Sequence, residues 1–95
     1  MLAVLAFAIA ACAETLDQTI GVVIGVESPG FGQVDAFELV TPDGERLTFD
    51  TTEFVFQPEF PASHMGEHQR LSEPIEVTYR QDGDRLIITR LRDGG

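Results

Sequence analysis

Residues 63–68 read SHMGEH, so His64, Glu67 and His68 set two imidazoles four positions apart with a carboxylate between them. On a helix, positions i and i+4 lie on one face. Both rings can then reach a single ion, with Zn–N bonds of about 2.0–2.1 Å. His64 and His68 with an acid such as Glu67 or Glu73 form the expected set for weakly held zinc, nickel or copper. The same pair has a plainer role open to it, in which each ring donates to a backbone carbonyl or a carboxylate and orients a short helix against its domain. A third role is a response to pH, because histidine titrates near 6.5 and two close rings disfavour joint protonation.

The spacing H-x-x-E-H resembles one class of zinc peptidases, whose two helical histidines bind the metal and whose glutamate acts as base. The resemblance implies a third ligand, a glutamate far downstream on another helix. The short remainder of this chain after His68 reads as a β-hairpin instead, and the sequence is far smaller than those enzymes. Other catalytic sets fail too. Ser63 precedes His64 with no glycine elbow around it and no acid placed to orient the ring. The GFG at 30–32 has no helix after it to receive a phosphate. We therefore expect no enzyme. Phe54, Phe56 and Phe60 form a candidate aromatic surface of the kind that stacks bases or sugars.

Charge narrows the ligands of any such surface. Sixteen acids stand against six basic residues, all arginine, for a formal net charge of −10. Nucleic-acid binding depends on clustered cations neutralising phosphates, so nucleic acid is excluded as a partner. The excess charge serves a solvated surface, or a face for a cationic partner or divalent ions.

The N-terminus carries a different signal. MLAVLAFAIAAC is uncharged and apolar. It falls short of the roughly 20 residues that span a bilayer, yet matches the roughly 7–15 of a secretory apolar region. Ile9-Ala10-Ala11-Cys12 resembles the lipobox of bacterial lipoproteins. That resemblance implies lipidation of Cys12, removal of the preceding residues, export, and a lipid anchor holding the chain to a membrane of the cell envelope. Another envelope protein is the natural partner. Cys12 is the only cysteine, which rules out an intrachain disulfide and a cysteine zinc cage. We assign residues 1–12 to the signal segment, 13–18 to a linker and 19–93 to a domain.

Alternation dominates that domain. TIGVVIGVES predicts a strand with Ile20, Val22, Ile24 and Val26 inward and Gly21 and Gly25 on the outward set. VDAFELVT and RLTFDT flank the Pro42-Asp43-Gly44 turn and predict a hairpin. EFVFQ at 53–57 reads as a short extension or edge strand. Pro58, Pro61 and Pro74 bracket the one helix-compatible run, expected to make at most two turns with Phe60, His64, His68 and Leu71 on a shared face. Pro61 suits its first turn and Ser63 is the alternative N-cap. IEVTY and RLIITRL close the chain as a hairpin around Asp82-Gly83.

Three strands, a short helix and a final hairpin is the element order of the OB-fold, a small five-stranded Greek-key barrel. The fold class is thus mainly β, an OB-like barrel with one helix between strands 3 and 4, with an SH3-like barrel as the alternative. Its expected core is Ile20, Val22, Ile24, Val26, Phe37, Leu39, Leu47, Phe49, Ile75, Val77, Tyr79 and Leu86, with Phe60 and Leu71 capping one end. FPASHMGEHQRLSEPIEVTYR also resembles a segment of small bacterial envelope proteins sharing Phe60-Pro61, His64 with His68, and Pro74 through Tyr79, a likeness that implies no activity. The leading expectation is a non-enzymatic, membrane-tethered binding or scaffolding module. The alternative is a metal-binding or metal-sensing protein working through His64 and His68.

Overall fold

The computed structural model describes residues 15–28 and 33–94, so Cys12 lies outside the described residues. Its elements run β1 (Asp17–Glu27), β2 (Ala36–Val40), β3 (Arg46–Asp50), α1 (Ala62–Leu71), β4 (Ile75–Asp82) and β5 (Arg85–Asp93). The strands close into a barrel in the order β1-β2-β3-β5-β4, with β4 returning to β1. All neighbours are antiparallel except β3 and β5, which meet in a short parallel seam pairing Phe49 with Leu86 and Asp50 with Ile87. Arg85 reinforces that seam, reaching Asp50 Oδ2 from its Nε at 3.1 Å and its Nη2 at 2.8 Å. A closed, mainly β barrel of OB-like kind, with its single helix between β3 and β4, agrees with the fold expected from element order. Among the described residues no helix is long and apolar enough to cross a membrane.

Each hairpin forms where turn chemistry places it. β2 pairs with β3 across Pro42-Asp43, where Thr41 donates a short hydrogen bond to the Asp43 carboxylate. β4 pairs with β5 across the Gly83-Asp84 turn. β1 is long enough to serve two neighbours, Asp17–Gly21 pairing with β4 and Val22–Glu27 with β2.

The inward face of β1 is the reverse of the expectation. Gly21 and Val23 are buried, while Ile20 and Ile24 are 41% and 37% exposed. The cause is close approach. A Cβ on Gly21 would overlap the Val40 carbonyl oxygen and lie 2.9 Å from Leu39 Cγ, so glycine lets β2 press against β1 from inside. The register then slips between Val23 and Gly25, leaving Ile24 as the extra residue of a bulge. That slip returns Val26 to the packed side, where it joins the core cluster. A similar slip in the last hairpin leaves Thr89 without a partner, and so both Ile88 and Leu91 are buried among the core residues.

The segment 53–57 is not a strand. Thr52 and Glu53 form a turn, and an isolated bridge from Gln57 to Phe60 is the one ladder contact between that turn and the helix. Val55 is 75% exposed there, and Pro58 has no amide to offer a ladder. The helix spans ten residues, longer than the expected two turns, and its N-cap is Pro61 with no side-chain capping bond from Ser63 or any other residue. Leu71 is 55% exposed, and Met65, fully buried, takes its expected place beside Phe60 in the barrel end.

Candidate metal site

His64 and His68 lie one turn apart on α1, their ring centroids 4.6 Å apart and nearly perpendicular. Phe60 fixes both, stacking on His68 at 5.5 Å and meeting His64 edge-on at 4.9 Å. Phe60 is 2% exposed, so of the three candidate surface aromatics it is spent on holding the histidines. Phe54 and Phe56 lie elsewhere on the same segment, edge-to-face at 5.1 Å and half-buried against the core.

The proton on His68 is set by its neighbours. Ser72 closes the helix in the left-handed region at φ 54° and ψ 35°, and the Glu73 amide returns a bond to the His68 carbonyl at 3.1 Å. This turn carries the Glu73 carbonyl oxygen to 2.9 Å from His68 Nδ1. A carbonyl only accepts, so Nδ1 of His68 bears the proton. On His64, Nδ1 lies 3.3 Å from a Glu67 carboxylate oxygen and Nε2 lies 3.2 Å from Asp93 Oδ1, so either nitrogen can donate to a carboxylate. Both Nε2 atoms face the same third group.

That group is Asp93, at the end of β5. Its Oδ1 lies 2.8 Å from Nε2 of His68 and 3.2 Å from Nε2 of His64. Gly94 holds the backbone beyond it. The Gly94 amide donates to the Pro74 carbonyl at 2.9 Å, and a side chain there would come within 2.9 Å of the Ile75 carbonyl carbon. The aspartate is thereby placed beside the helix end that carries His68.

The three ligand atoms lie within 4.8 Å of one another. A tetrahedral ion with bonds near 2.0 Å separates its donors by about 3.3 Å. The two contacts to Asp93, at 2.8 and 3.2 Å, are close to that spacing, and the remaining donors must close by up to about 1.5 Å to hold zinc. The outer contacts have the arrangement that metal-binding histidines favour, with a carboxylate or carbonyl beside each Nδ1 to accept its proton once Nε2 is bound to an ion. Three protein donors leave a fourth position open to the pocket lined by His64, Glu67, His68, Glu73, Pro74 and Asp93. That pocket encloses about 170 Å³, below the roughly 300–1,000 Å³ of small-molecule sites and ample for an ion.

Without a cation the cluster is electrostatically tense. When His68 is neutral, with its proton on Nδ1, the Nε2 lone pair points at a carboxylate oxygen. Protonation relieves this, and the direction of both pKa shifts is in keeping with it. Partial burial pulls His64 down, but its hydrogen bonds to Glu67 and Asp93 outweigh burial and hold its pKa above the ordinary 6.5. Asp93 is held below its ordinary 3.8, chiefly by its bond to His68, with the His64 contact adding to it, against an opposing effect of burial.

The histidine pair is visible in the sequence at its helical spacing; Asp93 is not. Glu67, expected from the sequence as the third ligand, instead contacts Nδ1 of His64, on the side of the ring away from the shared point. Glu73 contributes its carbonyl to His68 rather than its carboxylate to an ion. No protein-family model, no curated protein and no solved structure matches this chain.

Proposed function

We propose that this chain is a non-enzymatic metal-binding module whose centre is His64, His68 and Asp93, taking zinc, nickel or copper in their divalent states. The observation that carries the reading is the convergence of two Nε2 atoms on one Asp93 oxygen while each Nδ1 has an acceptor beside it. Two imidazoles and a carboxylate suit borderline ions of this kind. Calcium and magnesium prefer all-oxygen cages. A binding rather than catalytic role is favoured by the small pocket, which has room for an ion and little beyond it.

Isothermal titration of the full chain with each ion tests the reading. Saturable binding of one ion per chain, reversed by a chelator and abolished in the His64→Ala, His68→Ala double variant, is the expected result. Binding no tighter than high micromolar, or unchanged binding by the double variant, overturns it.

The lipobox-like Ile9-Ala10-Ala11-Cys12 supports a second element of the proposal, a lipid tether to a membrane of the bacterial envelope. Diacyl or triacyl attachment at Cys12 gives the two-chain anchoring that stable membrane association needs. Cys12→Ser is expected to move the protein from the membrane to the soluble fraction. A soluble wild type that retains residues 1–11 sinks the tether without touching the metal site.

A further inference from the structure

We propose that the metal fastens α1 onto the end of the barrel, making the docking of this helix metal-dependent; the inference rests on the metal reading above. Taken alone, α1 is a poor helix. Ten residues are marginal in water without tertiary support. Pro61 at the N-cap gives no side-chain capping bond, and the first turn holds no acid to complement the helix dipole. Gly66 sits at its centre, where glycine costs about 1 kcal/mol relative to alanine. Nothing lies within 4 Å of the space its side chain would fill, so close packing does not explain the glycine.

Attachment to the barrel is also thin. The helix fully buries only Met65 and His68. Among the described residues, its side-chain hydrogen bonds to the strands are a 3.4 Å contact from Gln69 to the Ile24 carbonyl and the two histidine contacts with Asp93. With its Nδ1 proton spent on the Glu73 carbonyl, a neutral His68 meets that carboxylate lone pair to lone pair at 2.8 Å. The shortest polar tie between helix and barrel therefore repels until a proton or a metal ion lies between its members. A bound ion converts it into three coordinate bonds that span α1 and β5. When the helix lifts, those bonds break and Met65 and Phe60, 0% and 2% exposed when docked, are uncovered.

Linkage sets the size of the effect. An ion that binds only the docked form lowers the opening equilibrium by the factor one plus free ion over Kd, about 100-fold at 100 times Kd. Amide hydrogen exchange on the full chain above pH 7, with chelator or with zinc, measures it. Without metal, amides of residues 65–71 are expected to exchange faster than those of β4 and β5. Zinc at about 100 times Kd should slow them about 100-fold. Asp93→Asn, an isosteric change at an exposed side chain, should show no zinc-dependent slowing. Zinc that binds by calorimetry yet leaves α1 exchange unchanged overturns the clamp and spares the metal reading. So does a metal-free helix that exchanges as slowly as β4 and β5. Absence of calorimetric binding overturns both.

Discussion

Replacing Asp93 with asparagine separates what this carboxylate does with protons from its proposed part in binding metal. Consider first the metal-free protein at pH 5. His64, with its raised pKa, is protonated there, and Asp93, with its lowered pKa, is ionised. The raised histidine pKa gives stability that is complete below about 6.5 and is lost as pH rises through the folded value. The lowered carboxyl pKa gives stability that is present above about 3.8 and is lost as pH falls through its folded value. At pH 5 both contributions are in force. A charge-assisted bond is worth about 1.5–3 kcal/mol and an exposed ion pair about 0–1. The Asp93 side chain is 62% exposed while that of His68 is 6% exposed. The contribution is therefore on the order of 1 kcal/mol, or about 4–8 °C in Tm for a domain of this size. Asp93→Asn should lose that much at pH 5. At pH 8 with chelator the gap should close or reverse, because the carboxamide N–H donates to a neutral Nε2 that the carboxylate opposes. Adding zinc at 100 times Kd should then raise only the wild type, by about 2.7 kcal/mol. Urea denaturation at the two pH values, with and without zinc, reads all three. An equal deficit at pH 5 and pH 8, with zinc stabilising both proteins alike, would refute the reasoning.

Four further outcomes are expected. Glu67→Gln should weaken zinc binding about 10–100-fold in calorimetry by loosening the His64 tautomer, while leaving the one-to-one stoichiometry intact. Gly21→Ala should destabilise by about 1–3 kcal/mol in urea, because the new methyl meets the Val40 carbonyl, whereas Ile24→Thr on the opposite face should cost under about 1 kcal/mol. Met65→Ala should cost about 2–5 kcal/mol and Leu71→Ala under about 0.5, inverting the order that helical spacing from Phe60 suggests. Asp50 is lowered to about 2, first by the Thr52 hydroxyl, then by the Thr52 amide and Arg85. Its stabilisation holds above about pH 3.8 and fades toward pH 2, so between pH 4 and 2 the wild type should lose on the order of 1 kcal/mol more than Asp50→Asn.

The sequence carries the barrel in its alternation, and the two hairpins form around the turns that proline, aspartate and glycine announce. Periodicity fails on β1 for a tertiary reason. Ile20, Val22 and Ile24 alternate well, but which face of a strand turns inward is decided by what presses on it, and only β2 lying on Gly21 settles that. The bulge at Ile24 then makes Val26 agree with the original phase while Ile20 and Ile24 do not. Leu71 departs from its expected place because its spacing from Phe60 counts Phe60 as part of the helix, which starts after it at Ala62. For the site, i and i+4 spacing pairs two histidines within one element, so local pattern suffices. Asp93 comes from another element, and its approach to His68 depends on pairing across a whole hairpin. The one cue is an acid at the far end of the strand that pairs back to Ile75.

The unpaired Thr89 has a consequence for charge as well as for packing. In β4 and β5 the ladder starts with Asp82 opposite Arg85, and were it uninterrupted, Arg92 would lie across from Ile75. The slack of one residue advances the strand so that Asp93 arrives there instead. Arg92 is left to bind Glu76, at 3.0 Å from its Nε. An extra residue in the second strand thus chooses an anion over a cation for the neighbourhood of the two histidines. Deleting Thr89 would set a guanidinium where the proposed metal site has its carboxylate.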